Sequence, residues 1–203
     1  MLVLTEKTLQ SSGCKCRAFV NHVVGTPIVF FHGLSYTSEV WQRIGVLDVL
    51  KEKRVPFLAL DMPYGIKSEC QPKTRNEGSN VTFAREVIVA NSGSEVPILV
   101  GASMGGHIAL KYAIKFPVKG LLLIGPARAL DNEIVKSLSQ FRFPVRIIWG
   151  TIDNIISGDD MRTLSDKLPN SKLVTYEGAG HSAHVSQPER FRHDLMELYA
   201  MAE

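Results

Sequence analysis

The stretch that decides the architecture is Val96-Pro-Ile-Leu-Val-Gly-Ala-Ser-Met-Gly-Gly-His-Ile-Ala-Leu-Lys-Tyr112. An apolar run with β-branched residues, Pro97 to Val100, ends in a cluster of small residues around Ser103, and a helical pattern starts at Met104. A strand that turns sharply into a helix needs neighbours without bulk. Gly101 and Gly105 supply them and hold the Ser103 hydroxyl out at the end of the strand. The turn also sets Ser103 at the N-terminal end of a helix, where unpaired backbone amides and the helix dipole favour negative charge.

The same unit recurs on both sides of this stretch. TPIVFFHG precedes SEVWQRIGVLDVLKEK, and VPFLALDMP precedes NVTFAREVIVANS. VKGLLLIGPA precedes DNEIVKSLSQF, FPVRIIWGT precedes DDMRTLSDKL, and KLVTYEGAG precedes a helix from Pro188. Continuous apolar strands, each followed by an amphipathic helix, predict a mostly parallel sheet with helices on both faces, a three-layer α/β fold. Pro27, Pro56, Pro97 and Pro144 stand at strand entries, where a missing backbone donor costs little. LVLTEKTL and CKCRAFVNH alternate instead, which predicts an antiparallel pair at one edge. The 203 residues, 45% hydrophobic and 21% charged, read as one domain. The polar segment at 65–80 reads as a loop, not a linker.

In open α/β sheets, ligands gather beyond the carboxyl ends of the strands. Four such ends carry reactive residues here: His32-Gly33-Leu34, the Ser103 turn, Asp153 after RIIWG, and His181 after Gly178-Ala179-Gly180. Ser, Asp and His thus reach one edge of the sheet in that order. This order, with Gly-x-Ser-x-Gly between strand and helix, resembles the α/β-hydrolase fold. Asp61-Met62-Pro63-Tyr64-Gly65 and Gly180-His181 through Pro188-Glu189-Arg190-Phe191 resemble further segments of that family.

The resemblance implies a serine hydrolase with a catalytic set of Ser103, Asp153 and His181, the histidine as general base and the aspartate as its orienting partner. It implies an oxyanion hole from the backbone amides of Leu34 and Met104. His184 is the rival histidine and is expected to line the pocket; Ser35, Tyr64 and Pro126 are expected substrate contacts. Asp159 and Asp160 fit the first turn of the next helix, Asp61 a turn, and His32 loop support by hydrogen bonding. Larger relatives carry a helical cap after the strand that here is LLLIG. Pro126 to Phe143 leaves no room for one, so an open site walled by residues 34–40, 63–80 and 126–130 is expected.

The implied chemistry is hydrolysis of small or medium carboxylic esters, with thioesters and small amides as variants on the same residues. A hydrolase-like binding protein without turnover is the alternative from another class. Serine at 103 excludes the branches that use an aspartate nucleophile. No cofactor is expected: His181-Ser-Ala-His184 lacks the further ligands of a zinc site, and no dinucleotide or phosphate-binding glycine loop occurs. A net charge of +3 with interspersed signs gives no footprint for nucleic acid or membrane. Nothing marks an oligomer face. Glu6 and Lys7 interrupt any secretory leader, and three cysteines, with Cys14 and Cys16 too close to bridge each other, fit free thiols in a reducing cytoplasm.

Overall fold

The apolar runs form strands whose alternate side chains enter two separate cores. In the computed structural model, which describes residues 4–21, 23–91 and 96–203, Val29 and Phe31 face one hydrophobic cluster while Ile28 and Phe30 face the other. That is the period of two expected of a strand buried on both faces. The strands are β1 (Thr5–Ser11), β2 (Cys14–Val20), β3 (Ile28–Phe31), β4 (Phe57–Leu60), β5 (Ile98–Ala102), β6 (Gly120–Ile124), β7 (Val145–Gly150) and β8 (Ser171–Tyr176). They form one sheet in the order β1-β2-β4-β3-β5-β6-β7-β8. β1 pairs antiparallel with β2, and β2 antiparallel with β4, while every other pairing is parallel. The fold is therefore the three-layer α/β-hydrolase type. The expected strand start at Leu2, the strand end at His22 and the helix end at Ser92 lie outside the described residues.

One face is covered by α3 (Glu77–Asn91), α4 (Met104–Lys115), α5 (Asn132–Leu138) and α6 (Gly158–Lys167), the other by α1 (Glu39–Arg43), α2 (Val46–Glu52), α7 (Ala183–Ser186) and α8 (Pro188–Ala202). The pattern SEVWQRIGVLDVLKEK, expected to be one helix, is two. Gly45 sits at φ +72° and ends α1 in the left-handed region that glycine tolerates. α3 starts before the expected Asn80 because the Asn76 side chain accepts from the Ser79 amide at 2.8 Å and caps it. β6 passes to α5 with only residues 125–131 between, and no cap domain is inserted.

The cysteine expectation is overturned. Cys16 is bonded to Cys70, and Cys14 alone remains a free, buried thiol. Excluding a Cys14–Cys16 bridge left Cys70 out of account. The antiparallel pairing of β2 with β4 brings the loop after β4 back over β2, where Lys15 and Gln71 exchange backbone hydrogen bonds of 2.8 and 2.9 Å.

A buried ionic knot ties α8 to the last strands. Arg146 on β7 donates to the Asp194 carboxylate at 3.0 Å, to its carbonyl at 2.8 Å and to Glu197 at 2.7 Å. Tyr176 on β8 donates to the other Asp194 oxygen at 2.7 Å. Among the described residues no helix is long and apolar enough to cross a membrane.

Candidate active site

Ser103 stands between β5 and α4 at φ +51° and ψ −113°. A non-glycine residue there carries about 1–3 kcal/mol of strain, retained only where the surroundings impose it. They do so through the backbone: the Ser103 amide donates to Ile124 O at 2.9 Å, and its carbonyl accepts from His107 and Ala127 at 3.1 and 3.0 Å. The glycines have steric causes. A Cβ on Gly101 would overlap the Gly105 carbonyl, one on Gly105 would overlap the carbonyls of Phe31 and His32, and one on Gly106 would press on Pro126.

Asp153 follows β7 and His181 follows β8, and the structure brings them together: Asp153 Oδ2 lies 2.9 Å from His181 Nδ1. The other carboxylate oxygen accepts from the Ile155 and Ile156 amides at 2.8 and 3.0 Å. That leaves the carboxylate fixed, with 1% of its side chain exposed against 19% for His181. Gly125, directly after β6 and at φ +45°, makes room for the pair, since a Cβ there would stand 3.2 Å from Asp153 Oδ2 and 3.3 Å from His181 Nδ1. With Nδ1–H given to the aspartate, Nε2 of His181 is left as a proton acceptor.

His181 and Ser103 line a single cavity of about 250 Å³ together with Gly33, Leu34, Ser35 and Tyr36. Ile155, Ser182 and His184 complete its wall. The amides of Leu34 and Met104 have no acceptor among the described residues. Leu34 is held in place by its neighbours. His32 Nδ1 donates to Gly33 O at 2.7 Å, its Nε2 accepts from the Met62 amide at 3.0 Å, and Leu34 O accepts from Ile66 at 2.9 Å. Burial lowers the His32 pKa, consistent with this neutral tautomer.

His184 is 2% exposed and packs among Trp41, Phe191 and Tyr36, with ring centroids 5.1, 5.9 and 6.3 Å away. Burial, reinforced by the nearby His181 and Arg43, lowers its pKa to about 3. It stays neutral. Tyr64 and Pro126 do not join the Ser103 cavity. Tyr64 is buried and donates to the His32 carbonyl, and Pro126 lies against Gly106 and lines a separate cleft. Asp61 is fully buried and accepts from the Ser38 and Glu69 amides at 2.7 and 3.1 Å, so it shapes loops away from His181. Three cavity residues escaped the sequence reading: Tyr36, Ser182, to which the Tyr36 hydroxyl donates at 3.1 Å, and Ile155. For Tyr36 the only signal was its place in the 34–40 loop. His193, Asp194 and Glu197 lie within reach of a common ion, but Arg146 already engages both carboxylates.

The model of the alpha/beta hydrolase family matches residues 28–147. Among curated proteins, Protein ABHD14A of Danio rerio is 27% identical over 173 residues, covering 84% of this chain and 63% of that protein. The chain thus spans less than two thirds of the length of that relative. The putative protein-lysine deacylase ABHD14B of Rattus norvegicus is 24% identical over 205 residues, 96% of this chain and 95% of that one. Among solved structures, a predicted CIB-like hydrolase of Thermoplasma acidophilum superposes with a TM-score of 0.87 at 20% identity, covering 97% of this chain and 98% of the other. The carboxylesterase CesB of Bacillus subtilis gives 0.81 at 14% identity, covering 97% and 92%.

Proposed function

Because this chain belongs to the alpha/beta hydrolase family, we propose that it is a serine hydrolase cleaving small to medium carboxylic esters through an acyl-enzyme on Ser103. The observation that carries the reading is the 2.9 Å contact of Asp153 with His181, on the wall of the cavity that also holds Ser103. Ser103 Oγ attacks the ester carbonyl while His181 Nε2 takes its proton, and Asp153 stabilises the resulting imidazolium through Nδ1–H. The Leu34 and Met104 amides receive the developing oxyanion, at a value of about 3 kcal/mol for each such donor. His181 then returns the proton to the departing alcohol, and a water, activated by the same histidine, releases the acid.

Amide cleavage is the second reading, and one observation favours it: the relative matched along almost its whole length is named a putative protein-lysine deacylase. The same residues serve both, since only the leaving atom that receives the proton changes.

Intact-protein mass spectrometry after treatment with a fluorophosphonate tests the mechanism. One adduct on the native chain and none on Ser103→Ala is the expected result. A folded native protein that stays unlabelled would turn the reading towards a ligand-binding protein.

A further inference from the structure

A second cavity, of about 210 Å³, adjoins the first at Leu34. It shares Leu34 with the Ser103 cavity and is lined also by Met104, the residue after Ser103, while Tyr64 and Ile108 add apolar surface. Its far wall is charged. Glu77 lies there among three nitrogen-bearing side chains: Arg128 donates to it, Lys111 Nζ is 3.3 Å away and His107 Nε2 is 3.2 Å away. Partial burial pushes the Glu77 carboxyl up, but its His107, Arg128 and Lys111 partners outweigh that and hold it at about 2. Arg128 is engaged by Asp131 as well, at 2.6 Å. Arg75, the remaining charged residue of the wall, has no carboxylate partner among the described residues.

Chemistry assigns the two cavities different halves of a substrate. The leaving group must sit where His181 can protonate it, and His181 lines the first cavity and not the second. With the carbonyl oxygen turned to the Leu34 and Met104 amides, the acyl chain points past them. We propose that the second cavity receives the acyl chain and that Arg75 selects chains ending in a carboxylate, so that the acyl-enzyme formed is a half-ester of a dicarboxylic acid. The apolar stretch from Leu34 to Ile108 accommodates the methylenes, and a planar guanidinium with unused donors is matched to a carboxylate fork. A neutral chain of equal length would leave that guanidinium unengaged.

This inference rests on the serine-hydrolase reading, and the test keeps the two separate. Matched esters of one alcohol, butyryl with succinyl, hexanoyl with adipoyl and octanoyl with suberoyl, are assayed on the native chain, Arg75→Gln, Arg75→Lys and Ser103→Ala, with uncatalysed hydrolysis subtracted. The readout is the ratio of kcat/KM for the acidic chain over its neutral partner, so that losses common to both cancel. The expected result is a ratio above one for at least one pair in the native chain. Arg75→Gln should lower that ratio about threefold, as for an ion pair at an exposed site, with partial rescue by lysine. Turnover that depends on Ser103, with every ratio below one or unmoved by Arg75→Gln, overturns the inference and leaves the hydrolase reading standing. Turnover unaffected by Ser103→Ala overturns the reading itself.

Discussion

Asp153 Oδ2 lies 2.9 Å from His181 Nδ1, although the two residues are 28 apart and follow different strands. β7 and β8 pair in parallel from Val145↔Ser171 to Gly150↔Tyr176, so the register that delivers the two loops side by side is fixed by the sheet. Asp153→Asn would keep the geometry and lose the charge, presenting the wrong tautomer to Ser103. Its kcat should fall by roughly 10⁴, and a loss of less than tenfold in steady-state ester hydrolysis would exclude the assigned role.

Strain at Ser103 separates activity from stability. Ser103→Gly should abolish turnover, by about 10⁴-fold or more as in other triads. It should also raise unfolding stability over Ser103→Ala by about 1 kcal/mol, because glycine accepts φ +51° without penalty. Urea midpoints of the two variants at equal m-value decide it.

The two histidines should respond in opposite ways. His181→Phe should inactivate, whereas His184→Phe, a near-isosteric change among aromatic rings, should cost no more than about tenfold in kcat/KM. His184 also affects acid stability: its folded pKa is about 3 against an ordinary 6.5. Between those values the unfolded chain binds a proton that the folded chain refuses. Stability is therefore complete above about 6.5 and falls towards pH 3, by up to about 1.4 kcal/mol per pH unit. Phenylalanine removes that proton, so the variant's unfolding free energy should decline less steeply over this window.

The Cys16–Cys70 link predicts a thiol count. Denatured without reductant, the chain should titrate one thiol, Cys14, and after reduction all three. Reduction should lower stability by about 2–4 kcal/mol; equal melting temperatures with and without reductant would contradict a structural bridge.

Gly105→Ala should destabilise the fold by about 3 kcal/mol or more, because its methyl group would collide with backbone carbonyls of Phe31 and His32 that cannot step aside. Circular dichroism melting of the variant checks this.

The parallel strands were legible because their residues are apolar on both faces, and the ends of β3, β5, β7 and β8 because reactive residues follow each apolar run. What depends on a single residue's backbone conformation or on long-range pairing was not. Gly45 looked like an ordinary residue inside a helical pattern until its left-handed backbone split the helix. Cys70 sits in a polar loop that the sequence does not link to Cys16, since only the β2–β4 pairing folds it back. Tyr64, expected beside Ser103 from its place in a family-like loop, lines the second cavity instead, with its hydroxyl committed to the His32 carbonyl. Tyr36 and Ile155 carry no chemical label that would mark them as walls.

The knot of Arg146, Tyr176 and Asp194 has a consequence in time. The ribosome makes Ser103 early, but β7 and β8, which lead into Asp153 and His181, are clamped only when α8 arrives with Asp194. Until then Arg146 would be a cation in the interior without its counter-charge, a state costly enough to keep that edge of the sheet open. On the proposed chemistry, a nascent chain would carry Ser103 as an inert side chain until the closing of the C-terminal helix sets the loops of Asp153 and His181.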